Sequence, residues 1–142
     1  VGLSPDTMNL GSLCHTGGML RLGTVVLGVE VVERAVAFWS AALGYEPRHF
    51  PDAENGFTIL IPPSGIGTRV ALQRAETPAA EYPRVHLDLV VDSAVEQRTE
   101  IERLTGLGAT RVDWDLYPAD PDFVVLADPD GNRFCIVDAG HN

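Results

Sequence analysis

The chain contains two copies of one pattern, in which an apolar run leads through a helical segment into a β-hairpin. In the second copy the hairpin turn is Asp128–Asn132, whose Pro and Gly supply the backbone geometry of a tight turn. The hairpins align without a gap on Arg69 and Arg133, and the same spacing separates Gly44 from Gly108, which end the helical segments. The sequence therefore predicts a duplicated β–α–β–β–β unit.

This repeat predicts an α+β fold and sets the domain organisation. We expect a single domain over residues 22–139, preceded by an N-terminal extension, residues 1–21. Module one covers 22–75, a proline-containing linker covers 76–83, and module two covers 84–139. A chain of 142 residues is long enough to bury the core of one such domain.

The composition argues against several classes of partner. The net charge of −10 repels nucleic acid and acidic membranes, so we expect neither as a partner. No apolar run approaches the roughly 20 residues that span a bilayer. Two cysteines are too few for a disulfide scaffold, and the first residues lack the pattern of a signal peptide. We therefore expect a cytoplasmic protein.

The individual elements follow from periodicity and from capping residues. Helical spacing predicts a helix over Glu33–Leu43 with Trp39 in the core, and Gly44 ends it. Ser93 is the predicted N-cap of the second helix, with Glu96 three residues on. The predicted strands are Leu22–Val32, Tyr45–Phe50, Phe57–Ile61, Arg69–Arg74, Arg84–Asp92, Thr110–Asp115, Phe123–Ala127 and Arg133–Asp138.

Strand parity identifies the side chains that share one face. Because side chains alternate across a strand, Leu87 and Leu89 should lie under a helix, with His86 and Asp88 on the opposite face beside Cys135 of the last strand. Two such faces would enclose a concave surface with few polar groups, as a small-molecule site requires. The corresponding face of module one carries Thr24, Val26, Gly28, Glu30, Ala71 and Gln73.

His86 and Asp88 carry the sharpest chemical signal in the sequence. On one strand face the carboxylate is close enough to orient the imidazole, an arrangement used by general bases and by metal-ligating histidines. A surface ion pair or a hydrogen-bonded interior histidine fits the same pattern equally well. Both residues are catalytic candidates, and His86 is also a candidate metal ligand.

Five further residues are candidate ligand contacts. Cys135 is either a metal-binding or nucleophilic thiolate or, more commonly for a strand cysteine, a small hydrophobic side chain. Trp114, between two aspartates, suits the rim of a cleft as well as the core. Glu30 is either a site carboxylate or a strand-end carboxylate in water. Thr24 and Gln73 complete the set, because strand parity places them on the inner face.

In its motifs the chain resembles the vicinal oxygen chelate superfamily, which includes glyoxalase I, bleomycin-resistance proteins and extradiol dioxygenases. The resemblance covers roughly residues 22–139 and is greatest to glyoxalase-like domains whose last strand reads Gly-Asn-x-Phe-Cys. It implies two βαβββ modules that form a curved, mostly antiparallel mixed sheet around a cleft. The motifs that carry it are Val32–Trp39, Leu43–Tyr45, Val85–Leu89, Leu107–Ala109 and Asp128–Asn132.

The resemblance also implies a divalent metal, held by the first and last strands of each module. Carried over by position, the four ligand places are Thr24, Ala71, His86 and Cys135. Only His86 is the expected ligand type, and the methyl group of Ala71 cannot bind a cation. Gln73 and Asp88 lie nearby and could substitute in a rearranged site. The cofactor therefore stays open, with a divalent metal as the candidate.

Two functions of different classes follow. The first is a glyoxalase-like enzyme, a lyase or isomerase of unassigned substrate, with His86 as general base oriented by Asp88. The alternative is a non-catalytic protein that sequesters a cationic drug, as bleomycin-resistance proteins do, with Trp114 in an acidic cleft. Under either function we expect a small-molecule ligand and a homodimer, with the N-terminal extension laid on the partner.

Overall fold

A computed structural model of the protein describes residues 18–142 and confirms the predicted α+β fold of two tandem modules. None of the described helices is long and apolar enough to cross a membrane. Module one consists of β1 (Thr24–Val29), α1 (Val32–Leu43), β2 (Glu46–His49), β3 (Thr58–Ile61) and β4 (Arg69–Arg74). Module two consists of β5 (Leu87–Val91), α2 (Ala94–Leu107), β6 (Thr110–Arg111), β7 (Phe123–Ala127) and β8 (Arg133–Asp138).

Each module forms its own four-stranded mixed sheet. The strand orders are β1-β4-β3-β2 and β5-β8-β7-β6, so the first strand of each module pairs with its last. These pairs are parallel, and the other pairs are antiparallel. The register places Thr24 opposite Arg69 in module one and Asp88 opposite Cys135 in module two. The duplication therefore puts β1 and β5 at equivalent edges.

The two helices begin in different ways. The backbone N–H of Glu96 donates to the Ser93 hydroxyl at 3.2 Å, which confirms the predicted N-cap of α2. Helix α1 has no side-chain cap from its own N-cap residue, Val31. Instead, Asp130 of module two accepts from the backbone N–H groups of Glu30 and Val31, at 2.9 and 3.2 Å. One module thus supplies the cap for the helix of the other.

The core joins the two modules through aromatic side chains. Trp39 of α1 is buried, as predicted, and packs edge-on against Phe38 and against Phe134 of β8, with ring centroids 5.1 and 5.0 Å away. Its indole N–H donates to the buried carboxylate of Asp128 at 3.0 Å. Since Phe134 and Asp128 belong to module two, the same tryptophan ties the modules by packing and by a hydrogen bond.

Several predicted strands are too long at their ends. The strand predicted over Thr110–Asp115 is only Thr110–Arg111, because the chain turns where the Trp114 N–H donates to the Val112 carbonyl at 2.9 Å. Trp114 therefore lies in a loop. Strand β5 begins at Leu87, one residue after His86. Strand β1 ends at Val29, before Glu30. Val26 in its middle is 47% exposed, so the prediction that this strand is buried is wrong for part of it.

The predicted N-terminal extension falls largely outside the described residues. Positions 1–17, which include Cys14 and His15, are not described. Of the remainder, Met19 and Leu20 are exposed. The predicted contact of this segment with a partner subunit stays a prediction.

Candidate functional site

A cavity of about 440 Å³ lies against the module-two sheet, on the face opposite the helix core. Strand parity produces its wall, because Asp88 stands beside Cys135 in the register of β5 and β8, and Val125 of β7 stands beside Cys135 on the other side. The loop before β7 contributes apolar side chains. The cavity is lined by Pro83, His86, Asp88, Trp114, Leu116, Asp122, Phe123, Val125, Arg133, Phe134, Cys135 and Val137.

His86 and Asp88 form a contact at this wall. The imidazole Nε2 lies 3.0 Å from the Asp88 Oδ1, and about half of each side chain is exposed. A neutral imidazole with its proton on Nε2 keeps its lone pair on Nδ1, and the nearby carboxylate favours that tautomer. In the described part of the chain Nδ1 has no hydrogen-bond partner. The geometry thus presents a basic nitrogen that is oriented by a carboxylate and free to accept a proton.

Cys135 lies beside this pair and is buried. Burial raises the pKa of its thiol from 9.0 to about 11, and the negative charge of Asp88 adds to the shift. At neutral pH the side chain is therefore a thiol and not a nucleophilic thiolate. Of the two interpretations of Cys135, a reactive thiolate or a small hydrophobic side chain, the structure without a bound cation favours the second.

The three residues together offer a donor set for a metal. His86, Asp88 and Cys135 each contribute one ligand atom, and these atoms lie within 4.8 Å of one another. One nitrogen, one oxygen and one sulfur with an open position fit a catalytic zinc ion better than a hard, oxygen-seeking cation. Because the thiol would have to lose its proton on binding, affinity should rise with pH.

The four ligand places that the resemblance implied do not assemble. Ala71 is fully buried and stands opposite Val26, and neither it nor Thr24 lines the module-two cavity. Asp88, which was only a candidate substitute, stands next to His86 and Cys135 instead. Among the described residues, the donor atoms that come together all belong to module two.

The raised pKa of the Cys135 thiol predicts how the stability of the protein depends on pH. A raised thiol pKa means that the folded state keeps a proton that the unfolded chain releases, so its stabilising contribution is present below pH 9 and is lost as the pH rises towards 11. A shift of this size corresponds to about 2–3 kcal/mol. In urea unfolding with chelator present, the wild type should lose this much stability relative to Cys135→Ala between pH 8 and pH 11. A constant difference between the two proteins would contradict the buried, protonated thiol.

An aromatic cluster forms the rim of the cavity. Tyr82 of the linker packs on Trp114 with ring centroids 5.4 Å apart, and its hydroxyl donates to Asp115 at 2.9 and 3.0 Å. This hydrogen bond raises the pKa of Tyr82. The guanidinium of Arg133 lies 5.6 Å from the centroid of the Trp114 ring. Trp114 is therefore at the cavity, with Arg133 as its cationic neighbour.

The structure brings four of the seven predicted site residues together and leaves three apart. His86, Asp88, Trp114 and Cys135 line the same cavity. Thr24 and Gln73 lie on the module-one sheet, and neither lines the module-two cavity. Glu30 lines a different cavity at the end of β1, next to the linker.

Sequence reasoning missed Arg133 as a site residue. Parity already placed it, because Arg133 is two residues before Cys135 on the same strand face. In the sequence Arg133 served only to align the two hairpins, and its side chain was not assigned to the site. Leu116 and Asp122 lie in an irregular loop, so no periodicity could have assigned them to the cavity.

Comparison with known proteins identifies the family. The model of the glyoxalase-like domain matches residues 24–137. The chain belongs to this family. It is therefore a member of the vicinal oxygen chelate superfamily, as its motifs predicted. Among curated proteins no relative matches the chain significantly.

Solved structures with low identity share the fold of this glyoxalase-like domain. A glyoxalase-related enzyme from Fulvimarina pelagi is 18% identical with a TM-score of 0.60, over 86% of this chain and 95% of that one. A glyoxalase/bleomycin resistance protein/dioxygenase family enzyme from Burkholderia phytofirmans is 17% identical with a TM-score of 0.64, over 84% and 98%. The fosfomycin resistance protein FosX from Listeria monocytogenes is 14% identical with a TM-score of 0.62, over 87% and 91%.

Proposed function

We propose that the protein is a small-molecule enzyme, an isomerase or lyase, that removes a proton next to a carbonyl group in the module-two cavity. His86 is the general base and Asp88 the carboxylate that orients it. The observation that carries the proposal is the 3.0 Å contact from His86 Nε2 to Asp88 Oδ1 at the cavity wall, which leaves Nδ1 free among the described residues.

The proposed step balances without a further reactant. Nδ1 of His86 takes the proton from the carbon, and the electron pair of that C–H bond moves into the carbonyl group to give an enolate. Asp88 offsets the positive charge that develops on the imidazole. An isomerase returns the proton to a different atom of the enolate, whereas a lyase expels a leaving group from the neighbouring carbon. Phe123, Leu116 and Val125 give the substrate an apolar wall beside the base, while His86 and Asp88 stay half exposed to solvent.

A divalent ion would change the role of His86 in this proposal. His86, Asp88 and Cys135 would hold it, and when bound it would supply polarisation of a carbonyl oxygen. With the ion on one ring nitrogen, a neutral imidazole carries its proton on the other and has no lone pair left, so the step assigned to His86 belongs to the metal-free protein. The cytoplasmic homodimer expected from the sequence likewise stays a prediction.

Deuterium exchange tests the proposal without knowledge of the product. Small aldehydes, ketones and oxo acids are incubated with the protein in D₂O, once with chelator and once with zinc, and loss of the α-proton signal is followed by proton NMR. We expect at least one compound to exchange faster than in buffer. If every compound exchanges at the buffer rate although some bind in the cavity, the enzyme proposal fails and the sequestering function is favoured.

A further inference from the structure

Arg133 is the cationic side chain of the module-two cavity that has no ionic partner in the described structure. The ion pairs found among residues 18–142 are Arg34–Asp130, His86–Asp88, Arg103–Glu100 and His141–Asp120, and none of them includes Arg133. Its side chain is half-buried and lines the cavity. Guanidinium groups in such positions are normally neutralised by a carboxylate or a phosphate. This one is exposed to whatever occupies the cavity.

None of the neighbouring acids forms an ion pair with Arg133 in the described structure. Asp88 lies 3.0 Å from His86, and Asp115 accepts from the Tyr82 hydroxyl. Asp122 also lines the cavity, but it stands at the far end of β8, where its carbonyl accepts from the Asp138 N–H. Five residues of strand place that end about 16 Å from Arg133. The cavity therefore has a positive end at Arg133.

The position of Arg133 is fixed by its surroundings. The guanidinium packs on the ring of Trp114, which holds the side chain in place and shields part of it from water. Leu87 pairs with Phe134 in the register, and His86 and Arg133, each one residue earlier in the chain, both line the cavity. An anionic group on Arg133 would thus place the rest of a small ligand over His86.

We propose that Arg133 binds the carboxylate of a small organic acid, and that the ligands of this cavity are anionic compounds with an apolar body. The inference rests on the proposed function of the cavity and assigns its substrate class. This ligand charge is opposite to the one that the acidic composition suggested. The net charge of −10 is a property of the whole surface, whereas the charge next to a ligand in the cavity is set by the half-buried Arg133. The Trp114 ring, offered earlier as a platform for a cationic ligand, already carries a cation of the chain.

Three probes of one shape and different charge test the inference. Benzoate, benzamide and benzamidine are titrated into the full chain, and binding is followed by chemical-shift changes in nitrogen–proton NMR spectra. We expect benzoate to bind most tightly, with shifts at Trp114 and Arg133. Arg133→Gln should weaken benzoate binding about ten- to a hundredfold, the value of a charge-assisted hydrogen-bonded pair, and leave benzamide unchanged. Arg133→Lys keeps the charge but loses the two parallel N–H donors of the guanidinium, so its benzoate affinity should lie between those of the wild type and Arg133→Gln.

The repeat supplies the matched control. Arg69 occupies the equivalent position at the start of β4, is exposed and does not line the cavity, so Arg69→Gln should leave all three affinities unchanged. The inference is overturned if benzoate does not bind, if benzamidine binds more tightly, if Arg69→Gln has the same effect, or if Arg133→Gln weakens every probe equally.

The proposed function and this inference can fail separately. Exchange of an uncharged ketone by the wild type depends on His86 and needs no anionic group, so it is measured independently of benzoate binding. Exchange with no preference for benzoate would overturn the inference alone. Benzoate binding that depends on Arg133, with no exchange of any compound, would overturn the proposed function and leave the anion site standing.

Discussion

Replacement of His86 by glutamine is expected to lower the rate of enzyme-accelerated α-proton exchange by about 10²- to 10⁴-fold, the usual contribution of a positioned general base. Glutamine keeps a polar side chain that can still reach Asp88, 3.0 Å from the imidazole, but it has no nitrogen that can take up a proton. Since the pair is half exposed, the free energy of unfolding should change by less than about 1 kcal/mol. The measurement is the exchange rate of the most responsive compound, with urea unfolding as the check on folding.

His141 provides the matched control for this variant. Its Nε2 lies 3.0 Å from Asp120 Oδ2, so His141→Gln removes a histidine–carboxylate contact of the same length outside the module-two cavity. Exchange should be unaffected in His141→Gln. Equal losses in both variants, or exchange that survives in His86→Gln, would show that the His86–Asp88 pair is not the base.

Replacement of Asp128 by alanine is expected to lower the free energy of unfolding by about 3–5 kcal/mol, the range of lost buried hydrogen-bond networks. The carboxylate is buried and accepts from the Trp39 indole at 3.0 Å and from the backbone N–H groups of Asp130 and Asn132 at 3.0 and 2.8 Å. Alanine leaves all three donors without this acceptor. It also loosens the turn that carries Asp130, the cap of α1.

A double-mutant cycle with Trp39→Phe isolates the hydrogen bond between the modules. If the bond couples them, the double variant should be less destabilised than the sum of the two single variants, by about 1–3 kcal/mol. Simple additivity would contradict the coupling.

Because burial raises the pKa of Asp128, its charged form costs stability at neutral pH. The free energy of unfolding of the wild type, relative to that of Asp128→Asn, should therefore increase as the pH falls through the folded-state pKa.

The sequence predicted the fold well because its signals are local and repeated. The glycines at 44 and 108 adopt the left-handed conformation, φ 68° and 119°, that ends each helix, and the capping residue Ser93 acts as predicted. Parity placed His86, Asp88 and Cys135 on one face, and the structure brings their ligand atoms together. Such features depend on neighbours along one strand or one helical turn.

Relations between elements that are far apart in sequence could not be predicted. Parity shows which face Thr24 and Gln73 occupy, but whether that face meets His86 depends on how the two modules pack, which no local pattern encodes. The cap that Asp130 gives to α1 spans about a hundred residues of sequence and leaves no local signal. The unpaired charge of Arg133 is likewise visible only when every neighbouring carboxylate has been located.

The tautomer of His86 tests the central claim most directly. Long-range nitrogen–proton NMR spectra distinguish Nδ1 from Nε2 protonation for each of the four histidines, and His86→Gln identifies the His86 signal. With the imidazole neutral, we expect the His86 proton on Nε2, where Asp88 accepts it, and a loss of this preference in Asp88→Ala. A proton on Nδ1 in the wild type, or an unchanged His86 signal in Asp88→Ala, would contradict an oriented base in this cavity.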